Sequence, residues 1–303
     1  MDLSDDDVRV HSEEIVPSDG SDQSVQRYLF PVDGEHSGEI LPIVCDLIAG
    51  TEAELFIAYP VTESDEPSPT MPDPEREARR EVAQFVLEAN QQCQSDAPIQ
   101  QVVQTGEERE EILQDIVTAY DISTLISEAR PLSGIHSLLG TEGYADAAVM
   151  MDCDTILVTR IDQLESIESI LVPVDRGPHS GMAIETGLAL ARQHAATLEL
   201  LHVYDPNDDD GRSKGEEVMM NALKRSDEYE HAKTVLEEAD DISQGIIDYT
   251  NSFDITVLGA PRKGLLQQFV LGTIPEEVSV KGKGTVLTVH RGGADESWLD
   301  RWL

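Results

Sequence analysis

In the second half of this chain, apolar residues come in short solid runs separated by stretches of helical period. SILVPV at 169–174 is continuous, as a strand covered on both faces reads, and MAIETGLALARQHA at 182–195 places its apolar residues three to four apart. The alternation continues with TLELLHVY at 197–204 as strand, a helix over 213–225, and YEHAKTVLEE at 229–238 as a half-exposed strand. DISQGIIDYTNS at 241–252 then reads as helix, DITVLG at 254–259 as buried strand, TIPEEVSVK at 273–281 as helix and TVLTVH at 285–290 as a last strand. The first half gives the same order more faintly. Its strands are RYLFPV (27–32), AELFIAYPV (53–61), IQQVVQ (99–104), STLIS (123–127) and TILVTRI (155–161). Its helices fall at 38–50, 74–93 and 107–120 and after Thr141, the first with Pro42 inside it, an irregularity that the pattern does not explain. Five strands alternating with helices predict an α/β fold, a parallel sheet with helices on both faces.

The halves also repeat in detail. YLFPVDGEHSG at 28–38 matches ILVPVDRGPHSG at 170–181, and HSLLGT at 136–141 matches QFVLGT at 268–273. The boundary falls in DQLESIES, 162–169. The expected organisation is an acidic flexible tail at 1–25, one α/β domain at 26–162, a second at 163–292, and a tail at 293–303 holding both tryptophans, Trp298 and Trp302. A length of 303 residues suits two domains at roughly 150 residues each.

Charge narrows the function classes. Sixty acidic residues against 21 basic ones give a formal net charge of -39, which repels nucleic acid and anionic lipid. The acidic residues are spread along the chain, and no lysine precedes Lys214, a pattern suited to a solvated surface in the cytoplasm of a salt-loving organism. The N-terminal segment is polar, unlike a signal peptide, and no run reaches membrane-spanning length. The expectation is a soluble cytoplasmic protein with no nucleic-acid partner and no membrane insertion. Cys45, Cys93 and Cys153 are an odd number without a CxxC pair, so the spacing predicts neither a disulfide framework nor a zinc site, and each cysteine reads as a small buried residue.

ILVPVD followed by a Ser-bearing turn and a helix, then VLGAPRKGLLQQFVLGT, then GTVLTVHR, resembles the universal stress protein family in its tandem two-domain form. The resemblance spans about 27–161 and 169–291. It implies two Rossmann-like domains of the adenine nucleotide alpha hydrolase type that pair through their last strands, with a homodimer possible. It also implies ATP, with Mg, held through Gly-x2-Gly-x9-Gly-(Ser/Thr) in those members that keep the motif. Carried onto this sequence, the implied nucleotide contacts are Asp175, Val203, Gly259, Arg262, Gly272 and Thr273, with no catalytic residue and at most slow hydrolysis.

The motif is incomplete. Position 262, where the spacing asks for glycine, is Arg. A glycine lets backbone N–H groups approach phosphate without a Cβ, whereas Arg262 either closes the cradle or replaces it with a charge-assisted contact, Lys263 adding to the positive charge. Thr273 opens T-I-P-E, a helix-capping box, and a helix N-terminus also suits phosphate. Asp175 either contacts the adenosine or bonds its own loop. In the first half the spacing falls on Ser127 and Arg130, so only Asp33, Gly140 and Thr141 remain and that site is expected to be empty or altered. The competing reading is a nucleotide-free regulatory or scaffold protein working through protein contacts, the Trp tail included. Asp205, Asn207, Asp209 and Glu216 nearly spell a calcium loop, but Asp210 stands where its glycine belongs. His36-Ser37 and His179-Ser180 read as turn residues, the serines as helix caps.

Overall fold

In the computed structural model, residues 25–32, 37–49, 51–62, 74–93, 97–128, 153–160, 166–227, 229–259 and 284–292 are described. The first half supplies β1 (Gln26–Pro31), α1 (Ser37–Ile48), β2 (Ala53–Thr62), α2 (Pro74–Gln92), β3 (Ile99–Gly106), α3 (Arg109–Ala119), β4 (Thr124–Glu128) and β5 (Asp154–Arg160). The second half supplies β6 (Ser169–Pro173), α4 (Pro178–His194), β7 (Thr197–Tyr204), α5 (Gly211–Arg225), β8 (Ala232–Glu238), α6 (Ile242–Thr250), β9 (Ile255–Gly259) and β10 (Thr285–His290). The helices predicted after Thr141 and at 273–281 lie outside the described residues.

All ten strands form one sheet in the order β3-β2-β1-β4-β5-β10-β9-β6-β7-β8. Pairing within each half is parallel, and the halves meet where β5 and β10 run antiparallel, with Leu287 opposite Val158 and Val289 opposite Ile156. Alternation along each strand sends its residues to two cores. On β6 and β7, Ile170, Val172, Leu198 and Leu200 face α4 and α5 in a core that continues across β5 and β10 into the first half. Leu171, Leu201 and Val203 face the opposite side with α6. The first half's opposite face packs Leu29, Phe56 and Val102 with α3. Between α1 and α4, His194 Nε2 and Asp46 Oδ2 lie 2.8 Å apart, a second tie between the halves.

Three local readings change. Cys45, in α1, and Cys93, just after α2, form a disulfide with Cα atoms 4.7 Å apart, contrary to the expectation of three unbridged cysteines. They are 48 residues apart, and only the packing of α1 beside α2 on one face of the sheet brings them together. Cys153 is buried and takes no part in the disulfide, so an odd count hid a single bridge. Second, α4 begins at Pro178, earlier than the periodicity from 182 indicates, because Pro at the first position pre-sets helical φ and Gly177 takes φ 151 to turn the chain into it. Ser180 is therefore inside the first turn of the helix and is not its cap. Third, Pro42 is accommodated in α1 because it and Gly38, whose carbonyl loses its helical donor, are both exposed, so water can serve that carbonyl.

Candidate functional site

In each half the connections leave neighbouring strands in opposite directions at one place, between β1 and β4 and between β6 and β9. A crevice outside the carboxyl ends of such strands is the default ligand position in open α/β sheets. In the second half β6 runs into Val174 and Asp175, and adjacent β9 ends at Gly259. The structure thus brings Asp175 and Gly259 to the ends of paired strands, with the first turn of α4 between them.

Asp175 is exposed, and its carboxylate accepts from the Arg176 N–H at 2.7 Å while its own N–H donates to Ser180 Oγ at 3.0 Å. Of the two readings of this residue, the loop-bonding one describes the hydrogen bonds present. One further carboxylate oxygen is left to accept from a hydroxyl in the crevice. Gly259 is glycine for a packing reason. A Cβ there would lie 2.7–2.9 Å from His179 C, His179 O and Ser180 N, so strand and helix backbones touch directly. Substituting Gly259→Ala is expected to push α4 off the sheet and cost about 1–3 kcal/mol, as overpacking does. Urea melts check this, and an unchanged midpoint would show that α4 tolerates the displacement.

Val203 is only 5% exposed, its side chain packed on the α6 face, where a Cβ on Gly245 would come within 3.1 Å of it. Arg262, Lys263, Gly272 and Thr273 lie outside the described residues, as do Asp33, Arg130, Gly140 and Thr141 of the first half. Ser127 is buried at the end of β4 with its hydroxyl 3.4 Å from the Glu128 carbonyl. In the acidic loop, Asp205 Oδ1 accepts from both nitrogens of Asn207, and Asp208 pairs with Lys214 at 3.0 Å. Those carboxylates are bound within the loop and to the first turn of α5, and among the described residues no cluster of three metal-ligating side chains forms.

A polar cluster that the sequence reading did not assemble borders the crevice. His179 Nδ1 accepts from the Arg291 N–H at 3.0 Å, which places the ring proton on Nε2, and the His179 and His290 rings stack with centroids 4.6 Å apart. Arg291 reaches Glu185 Oε2 at 2.5 Å and Asp154 Oδ2 at 3.2 Å, and Arg225 holds the other Glu185 oxygen at 2.8 Å. Burial, reinforced by the His290 and Arg291 charges, lowers the His179 pKa to about 4. Burial also lowers His290, against the pull of Asp154, and His290 Nδ1 has no hydrogen-bond partner among the described residues. Asp154 is raised by burial, with Arg291 and the Gly292 N–H opposing. The HSG turn flagged His179, but nothing local connects it to Asp154, since the two are linked only through Arg291 and the antiparallel strand pair.

Residues 166–290 match the model of the Universal stress protein family. A universal stress protein from Archaeoglobus fulgidus has a similar structure, with TM-score 0.60 and 15% identity, covering 89% of this chain and 100% of that one. A putative universal stress protein from Pseudomonas aeruginosa gives TM-score 0.58 at 13% identity, covering 89% and 94%. The cytoplasmic domain of a prokaryotic cation chloride cotransporter gives 0.57 at 10%, covering 91% and 99%. At such identities the likeness establishes the fold, which proteins of different roles share. No curated protein matches the sequence. Among the described residues no helix is long and apolar enough to cross a membrane. Over residues 166–290, then, the chain is similar to the universal stress protein family.

Proposed function

We propose that this is a stress-response regulatory protein that binds ATP or a related adenine nucleotide in its second half. The reading also takes the chain as two tandem domains, 26–162 and 163–292, in the cytoplasm of a halophile. The observation that carries it is the placement of Asp175 and Gly259 at the carboxyl ends of adjacent β6 and β9, inside the family-matched segment and at the topological switch point. Asp175 would hold the adenosine hydroxyls, and the motif residues Arg262, Gly272 and Thr273 would meet the phosphates with Mg. The chain's own contribution is binding and orientation, and no catalytic group is assigned.

Calorimetric titration with ATP and Mg²⁺ at high salt tests this, and no heat at millimolar nucleotide would sink it. Arg262→Gly then separates two roles. Tighter binding means that the guanidinium closes the cradle, and binding weakened by about tenfold means that it grips phosphate, a loss on the scale of one charge-assisted hydrogen bond.

A second reading, a nucleotide-free regulator acting through protein contacts, is favoured by a specific observation. The space beside Gly259 is filled by the His179–Ser180 backbone, and the Asp175 carboxylate is already bonded to its own loop. Under that reading nucleotide leaves the melting temperature unchanged. Pull-down with full-length and tail-deleted protein would then recover partners that depend on residues 293–303.

A further inference from the structure

Antiparallel pairing lays the start of β5 beside the end of β10, so a first-half residue stands at the carboxyl end of the second half's strands. That residue is Asp154. One of its oxygens accepts from the Gly292 N–H at 2.9 Å and the other lies 3.2 Å from Arg291 Nη1. Arg291 in turn donates its backbone N–H to His179 Nδ1, and its guanidinium is clasped from the far side by Glu185. The His179–Ser180 backbone is the surface on which Gly259 rests, and Ser180 Oγ receives the Asp175 N–H. An unbroken series of hydrogen bonds and backbone contacts therefore runs from Asp154 to Asp175 and Gly259.

The repeat does not mirror this series. Aligning TILVTRI with TVLTVHR puts Gly284 at the position of Asp154 and Ile161 at that of Arg291. Gly284 has φ +99, and a Cβ there would meet the Phe253 carbonyl oxygen, so the site has no room for a carboxylate. The Asp154–Arg291 pair therefore has no counterpart of the same residue types in the repeat.

We propose that Asp154 is a positioning residue for the nucleotide site of the second half. The first half, which lacks both early motif glycines, completes the site and does not duplicate it. The inference rests on the nucleotide reading above. Asp154 touches no ligand: it sets where the end of β10, and through it the first turn of α4, sits relative to Asp175 and Gly259.

The test uses full-length wild-type, Asp154→Ala and Asp154→Asn proteins at high salt. Asparagine keeps an oxygen for the Gly292 N–H, whereas alanine removes the anchor. Calorimetry with ATP and Mg²⁺ should show binding about tenfold weaker for D154A, a loss on the scale of one charge-assisted hydrogen bond, with D154N recovering most of it. A second readout needs no nucleotide. In D154A the Gly292 and Asp175 amides, at the two ends of the series, should both exchange faster with solvent, with D154N staying close to wild type. Failure of wild type to bind nucleotide overturns the nucleotide reading and this inference with it. Wild-type binding that D154A leaves unchanged, or an Asp175 amide whose exchange does not change, overturns this inference alone.

Discussion

Reducing the Cys45–Cys93 bridge is expected to lower the unfolding free energy by about 4 kcal/mol, the loop-entropy value for a cross-link spanning 48 residues. The effect should concentrate on α2. That helix buries only Ala78, Val82, Phe85 and Ala89, so the bridge at its C-terminal end supplies a large share of its attachment. Its counterpart α5 is held to α4 without cysteine. Arg225 pairs with Glu185, Arg192 pairs with Asp227, and the Tyr229 hydroxyl donates to the carbonyls of Ala191 and Ala196. Hydrogen exchange on oxidised and reduced protein should therefore show α2 amides losing protection while α5 amides keep theirs. Urea melts of the reduced protein and of a Cys45→Ala/Cys93→Ala variant should both shift to lower midpoints. Superimposable melts would show that the bridge contributes nothing to stability.

The second large effect is with pH. His179 titrates at about 4 in the folded protein against 6.5 unexposed to the fold, so the native state binds fewer protons than the unfolded chain between those values. The contribution of His179 is then fully present above pH 6.5, falls as pH drops through that window, and is gone below about 4. Its size is roughly 2–3 kcal/mol, the upper figure reduced because the ring is only partly buried. His290, lowered by burial, acts in the same direction, while Asp154, raised by burial, acts in the opposite one at the acid end. Melts of wild type and His179→Gln between pH 7 and pH 4 isolate the term, since glutamine can accept from the Arg291 N–H without titrating. Wild type should lose more stability over that range, and equal slopes for the two proteins would rule the assignment out.

Much of the architecture was legible because it rests on local information. Continuous apolar runs such as SILVPV marked strands buried on both faces, and Ile170, Leu171 and Val172 are all fully buried. The matching PVD segments marked the ends of β1 and β6. Gly259 was picked out by the motif spacing, and what excludes a side chain there in the structure is the His179–Ser180 backbone. Asp175 was placed at a strand end, and its bonds to its own loop became visible only with coordinates. Val203 lies on the α6-side core face.

The unreadable features are those made by residues far apart in the chain. Spacing rules could not pair Cys45 with Cys93, because α1 and α2 are brought side by side by their common packing on the sheet. Nor could they join Asp154 to Arg291, 137 residues on, because strand direction decides which ends meet. By itself the sequence determined the alternation of strands and helices, the matching PVD and LGT segments, the acidic net charge and the departure from the glycine motif, since periodicity, turn chemistry and charge are local properties. Tertiary structure alone decided the join between the halves, the bridge, and the polar cluster around His179. Each of these depends on long-range register, which burial of one continuous core selects and no window of sequence contains.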